Sequence, residues 1–133
     1  MTDSTYQIDR YPEQLAVVRL GPGAPIPAWA ESSSIFSVTA TAAETSVVCA
    51  ARNVPKKVPH QRSFTAFAVV GPLDFALTGV LVSLLEPLAA AQISVFPIST
   101  YDTDWILVPM PEADRAAEEW RRRGHTVVPA VPA

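Results

Sequence analysis

The chain has 133 residues, almost half of them hydrophobic, with a net charge of −3 and dispersed basic residues. That is enough apolar material for a core and too little clustered positive charge for a nucleic-acid surface. A single cysteine, Cys49, excludes an internal disulfide and a thiolate metal cluster.

Residues 1–11 are polar and read as loose, with no basic or apolar leader region. Leu15 to Leu20 reads as a first strand, ended by Gly21-Pro22-Gly23. One short helical turn is expected around Trp29. Strands follow at Ser34–Ala40 and Ser46–Ala51, close enough to form an antiparallel hairpin. Cys49 lies in the second of these, in apolar surroundings that suit a buried structural thiol rather than a nucleophile. Arg52 to Arg62, with Pro55 and Pro59, reads as a loop or linker.

The second half has a clearer pattern. Phe64–Val70 is a strand ended by Gly71-Pro72. Asp74 stands where a helix N-cap is wanted, and Leu77, Leu81, Leu84, Leu85 and Leu88 then form one helical stripe. Gly79 weakens that helix, and Pro87 kinks it or opens its last turn. Ile93–Ile98 is a strand whose Pro97 belongs at an open edge, a bulge or a loop. The longest apolar stretch, Phe75 to Ile93, is interrupted too often for a membrane span, and the cytoplasm is the expected location. Ser99 to Asp104 is a polar connection, and Trp105–Val108 returns as a strand. Glu112–Arg123 is a helix with acids early and arginines late, Gly124 stops it, and His125–Val128 is a final strand. Arg121, Arg122 and Arg123 read as a solvated helix end rather than a phosphate site.

The order from Phe64 is β-α-β-β-α-β, an α+β ferredoxin-like antiparallel sheet with both helices on one face. A shorter half of strand, helix, strand and strand precedes it. The expected division is 1–62 and 63–133. The companion half or a second subunit would cover the open sheet face.

Several segments carry a resemblance: Val70-Gly71-Pro72-Leu73-Asp74-Phe75-Ala76-Leu77-Thr78-Gly79-Val80-Leu81, Pro87-Leu88-Ala89, and Ile93 through Val108 with its Ser99-Thr100-Tyr101-Asp102-Thr103-Asp104 run. They are similar to small bacterial ACT-domain proteins, to the regulatory ACT domains of aspartate kinase and to the ACT repeats of cytosolic arginine sensors. Trp29, Phe36–Thr39 and Glu44–Val48 resemble the ACT-like N-terminal half, so the resemblance spans roughly residues 12–128. It implies a non-catalytic regulatory module that binds an amino acid between paired ACT domains, with a homodimer as the expected state. The ligand-binding positions it implies are Gly71, Pro72, Leu73, Asp74 and Phe75 in the first loop, and Ser99, Thr100, Asp102 and Asp104 in the second.

The residue types fit that use. A helix N-terminus stabilises a ligand carboxylate, and Asp74, Asp102 and Asp104 suit an ammonium. Each has a plainer reading as well: Asp74 as a cap, Asp102 with Thr103 in an Asx-type turn, Asp104 as a solvated strand flank. Tyr101, Trp105, Trp29 and Trp120 read first as packing or interface residues. His60 in a loop and His125 after a helix both read as surface histidines, outside any metal or triad motif. No phosphate loop or glycine elbow is present, so no catalytic residue, metal or cofactor is expected. The competing reading is an interaction module that holds an unidentified protein partner and no small ligand. A small enzyme is the weakest of the three.

Overall fold

The computed structural model describes residues 5–71, 73 and 78–130. Its strands are β1 (Gln7–Arg10), β2 (Leu15–Leu20), β3 (Ser37–Ala40), β4 (Thr45–Ala50), β5 (His60–Val69), β6 (Phe96–Ser99), β7 (Asp104–Pro109) and β8 (Thr126–Pro129). Its helices are α1 (Ala28–Glu31), α2 (Val80–Ala90) and α3 (Ala113–Arg122), with 3₁₀ turns at Ala51–Asn53 and Met110–Glu112. The chain forms two compact units, one of residues 13–64 and one of residues 1–12 with 65–133. The boundary between these units, 64–65, lies close to the division at 62–63 expected from sequence, and residues 1–12 group with the later residues.

In the unit of residues 13–64 the sheet order is β3-β4-β2-β5, with every neighbouring pair antiparallel. This is the strand order of a ferredoxin-like unit, with the 3₁₀ turn standing where a second helix would be. Ala16, Val18, Val47 and Cys49 alternate onto one buried face and pack with Ala30 of α1 and with Val54. Trp29 lies against this cluster, partly buried. The linker expected over 52–62 is shorter than the residues suggested, because strand β5 begins at His60. The polar run His60-Gln61-Arg62 carries no apolar signal, but its backbone pairs with Val18, Val17 and Ala16 of β2.

In the other unit the sheet order is β6-β7-β5-β1-β8. The β-α-β-β-α-β order from β5 to β8 is present as read. The surprise is β1, expected to be loose: it lies between β5 and β8, antiparallel to the first (Ile8↔Val69) and parallel to the second (Ile8↔Val127). Composition does not announce this strand. Pairing on both sides satisfies its backbone, and Ile8 is buried in the core.

Helices α2 and α3 close that core over Phe67, Val69, Ile106, Val108 and Val127. Trp120 is fully buried, donates its indole N–H to the Leu84 carbonyl at 2.8 Å and meets Phe67 edge-on at 4.9 Å. Arg10 lies over the Phe67 ring and bonds Asp114 at 2.7 Å. At the end of α3, Gly124 takes a φ of +92°. The Gly124 and His125 amides donate to the Arg121 and Trp120 carbonyls, a Schellman closure that needs this glycine. Arg122 pairs with Glu119 at 2.8 Å and Arg121 donates to the Val127 carbonyl, so the arginine run serves the helix end.

Strands β3 and β6 and helix α2 start later than the sequence suggested, β3 at Ser37 rather than Ser34. Helix α2 begins at Val80, not near Asp74, and Gly79 holds the N-cap position with a φ of +81°. Glycine reaches that left-handed region without a Cβ penalty, so it ends the preceding loop rather than weakening a helix interior. Strand β6 begins at Phe96 rather than Ile93. Ile93 instead closes α2, its amide donating to the Leu88 carbonyl. Pro97 faces an outer edge, since β6 pairs with β7 alone among the described strands.

Candidate functional site

The loop between β5 and α2 and the hairpin between β6 and β7 meet in a cleft of about 280 Å³. One wall is Leu73 with the start of α2, at Gly79, Val80 and Leu81. The other is the hairpin from Ser99 to Asp104.

The hairpin owes its shape to hydroxyl side chains. Thr100 donates its amide to the Thr103 carbonyl at 2.8 Å, and the Thr103 amide donates to Thr100 Oγ1 at 3.2 Å. The Asx-type turn expected at Asp102 is therefore replaced by a threonine turn. Ser99 donates its hydroxyl to the Asp104 carboxylate at 2.7 Å across the base of the hairpin. Leu73 donates its amide to the Asp102 carbonyl at 2.6 Å, and Thr103 donates its hydroxyl to the Val69 carbonyl at 2.7 Å.

The helix wall contributes backbone. The first N–H groups of a helix have no intrahelical acceptor, and the aligned peptide dipoles make that end positive. Gly79 supplies no capping side chain, and no side chain among the described residues caps α2. The described lining contains no lysine or arginine, while Asp102 and Asp104 supply carboxylates. Chemically, the cleft pairs N–H donors on one wall with carboxylates and hydroxyls on the other.

Of the positions expected from sequence, Leu73, Ser99, Thr100, Asp102 and Asp104 come together in this cleft. Gly71 stands behind it: a Cβ there would lie 3.0 Å from the Leu73 amide nitrogen and 3.1 Å from the Asp102 carbonyl oxygen. Pro72, Asp74 and Phe75 lie outside the described residues. The N-cap position of α2, expected from sequence at Asp74, is held by Gly79. Sequence reasoning missed Gly79, Val80, Leu81, Tyr101 and Thr103. The available signal was Thr78-Gly79 immediately before the unbroken apolar run, which marks a helix start as well as a helix flaw.

The histidines lie elsewhere. His60 is at the head of β5, its Nδ1 2.6 Å from the Val58 carbonyl. His125 is buried rather than on the surface, because β1 lies beside β8 and brings Tyr6 against it. Burial holds the His125 imidazole below its ordinary pKa. The Cys49 thiol is fully buried, and burial, with the nearby Glu13 charge, pushes its pKa up. Among the described residues no group of histidine, cysteine and acidic side chains is arranged to hold a metal ion. No helix among them is long and apolar enough to cross a membrane.

The ACT-domain family model matches residues 60–118, which contain β5, α2, both strands of the hairpin and most of α3. The chain carries an ACT domain. A second family model, of an N-terminal domain, matches residues 13–57, close to the bounds of the other unit. Among curated proteins none matches the sequence. The chain is similar in structure to a protein from Agrobacterium tumefaciens, at 27% identity and a TM-score of 0.90 over 98% of each chain. A Vibrio cholerae protein of unknown function, described as a possible transport protein, is similar at 14% identity and a TM-score of 0.74 over 89% of each chain. The regulatory subunit of aspartate kinase from Thermus flavus shares the fold at 8% identity, with a TM-score of 0.66 over 90% of this chain and 98% of that one.

Proposed function

We propose that this protein is a non-catalytic regulatory module that binds an amino acid in the cleft between α2 and the β6–β7 hairpin, and that it pairs with a second copy so that ACT domains meet at the site. The observation that carries the reading is the polarity of the cleft. An amino acid brings a carboxylate and an ammonium a few bonds apart. The start of α2, which no described side chain caps, suits the first, and the carboxylates of Asp102 and Asp104 suit the second. The ACT match and the shared fold with an aspartate kinase regulatory subunit support a regulatory role over a catalytic one.

The test is thermal unfolding against each common amino acid at millimolar concentration. A ligand present at about 100 times its dissociation constant adds roughly 2.7 kcal/mol to stability. A selective rise in melting temperature that Asp102→Ala removes, with its unliganded melting temperature unchanged, supports the proposal. A well-folded sample that responds to none of them turns the reading to its alternative, a protein-interaction module without a small ligand. The exposed side chains of Tyr101 (83%) and Val82 (66%) favour that alternative.

A further inference from the structure

We infer that Thr103 is the positioning residue of the cleft: its hydroxyl fixes the hairpin wall to the end of β5 and so sets the distance between the two walls. The inference rests on the amino-acid reading of that cleft and adds to it the residue that holds the binding geometry.

Thr103 occupies two bonding systems at once. Its backbone closes the turn with Thr100, through the Thr100 amide on the Thr103 carbonyl at 2.8 Å. Its side chain leaves the hairpin and donates to the Val69 carbonyl at 2.7 Å, across 34 residues of sequence. Beside it, the Asp102 carbonyl receives the Leu73 amide at 2.6 Å. The hairpin tip is thus clasped twice to the connection that leads from β5 to α2, once through a side chain and once through backbone. Gly71 permits the approach, since an added Cβ would meet both the Leu73 nitrogen and the Asp102 oxygen at 3.0–3.1 Å.

Of the two clasping bonds, only the Thr103 bond depends on a side chain, so it is the one that substitution can remove cleanly. Without the hydroxyl, the tip beyond the β7–β5 pairing is held to this connection only by the Leu73 amide on the Asp102 carbonyl. The Asp102 carboxylate then loses its fixed distance from the start of α2, while Asp104 stays held by its pairing with Ser99. Thr103 acts on a ligand through these neighbours rather than by touching it, because its hydroxyl proton is already given to Val69.

The experiment is amide hydrogen exchange at Leu73 in the full chain, in wild type and in Thr103→Val, Thr103→Ala and Thr103→Ser. Valine keeps the β-branched shape and removes the donor; serine keeps the donor. Loss of one neutral hydrogen bond raises the local opening constant roughly five-fold. Leu73 should therefore exchange about that much faster in the valine and alanine variants and at the wild-type rate in the serine variant. Alanine carries the test if the valine variant does not fold. In the amino-acid thermal-shift panel, the valine variant should lose the selective shift and the serine variant should keep it. Unchanged Leu73 exchange in Thr103→Val overturns the clasp. Faster exchange with a full wild-type ligand shift overturns the positioning role. If wild type responds to no amino acid, the ligand reading fails, and Leu73 exchange alone still decides whether Thr103 holds the wall.

Discussion

The Tyr6 amide donates to Nδ1 of His125 at 3.1 Å, and the two rings stack at 5.7 Å. The bond requires Nδ1 to carry no proton, so the fold selects the neutral imidazole. Burial acts in the same direction.

The pH dependence of stability follows from that bond. Above the unfolded pKa of about 6.5, His125 is neutral in both states and the interaction contributes fully. Below it the unfolded chain takes up a proton that the folded chain refuses, so stability falls as pH drops toward the lowered folded value. The urea midpoint should decrease between about pH 7.5 and about pH 5.5 in wild type and decrease less in His125→Gln. Equal decreases in the two proteins would remove His125 from the account.

Glu13 governs a lower pH range. Its carboxylate accepts the Ser34 amide at 2.7 Å and the Ser34 hydroxyl at 2.6 Å, and pairs with Arg52 at 2.8 Å. Burial alone would raise its pKa, but the two Ser34 bonds and the Arg52 charge outweigh burial and lower it. The carboxylate therefore stabilises the fold above the ordinary glutamate range, and that contribution is lost as pH falls through the lowered folded value. Glu13→Gln should cost about 1–2 kcal/mol in neutral urea unfolding, with the deficit shrinking in acid. A deficit that holds constant into acid would contradict the assignment.

Trp120 unites α3, α2 and β5 through one side chain. Trp120→Ala removes its volume from a fully buried position and should cost about 3–5 kcal/mol. Trp120→Phe keeps the edge-on contact with Phe67 but loses the donor to Leu84, and should fall between wild type and alanine. Chemical denaturation of the three proteins checks the order.

Cys49 should resist modification. Its thiol is fully buried and its pKa is raised, so the thiolate population is small and inaccessible. A thiol reagent should label the native chain far more slowly than the urea-unfolded chain. Rapid native labelling would mean that β4 opens readily.

Much of the fold was legible where local chemistry and tertiary demand agree. Leu15–Leu20 and Ser46–Ala51 are apolar runs rich in β-branched residues, and they do form neighbouring strands. In α3 the acids, the arginines and Gly124 each mark the end they occupy. Strand β1 was illegible because its stability comes from backbone pairing on both sides, with Ile8 as its one aliphatic residue. The burial of His125 was hidden for the same reason, since Tyr6 reaches it only after β1 docks. At the cleft, five expected positions do meet. The helix wall was not legible because a glycine before an apolar run reads equally as a flaw inside a helix, and only its positive φ marks the boundary. Thr103 escaped notice because its partner, the Val69 carbonyl, is a backbone atom that no side-chain pattern records.

The place of β1 also shapes how the molecule folds. Neighbouring strands lie roughly 4.8 Å apart, so without Gln7–Arg10 the sheet would hold an empty slot between β5 and β8 that neither strand can bridge. The chain enters this slot, leaves to build all of residues 13–64, and returns along β5. Its parallel partner β8 comes only after both longer helices. β1 is thus the keystone of its sheet, and its two pairings, Ile8 with Val69 and Ile8 with Val127, close loops of very different length, the second at the higher entropic cost.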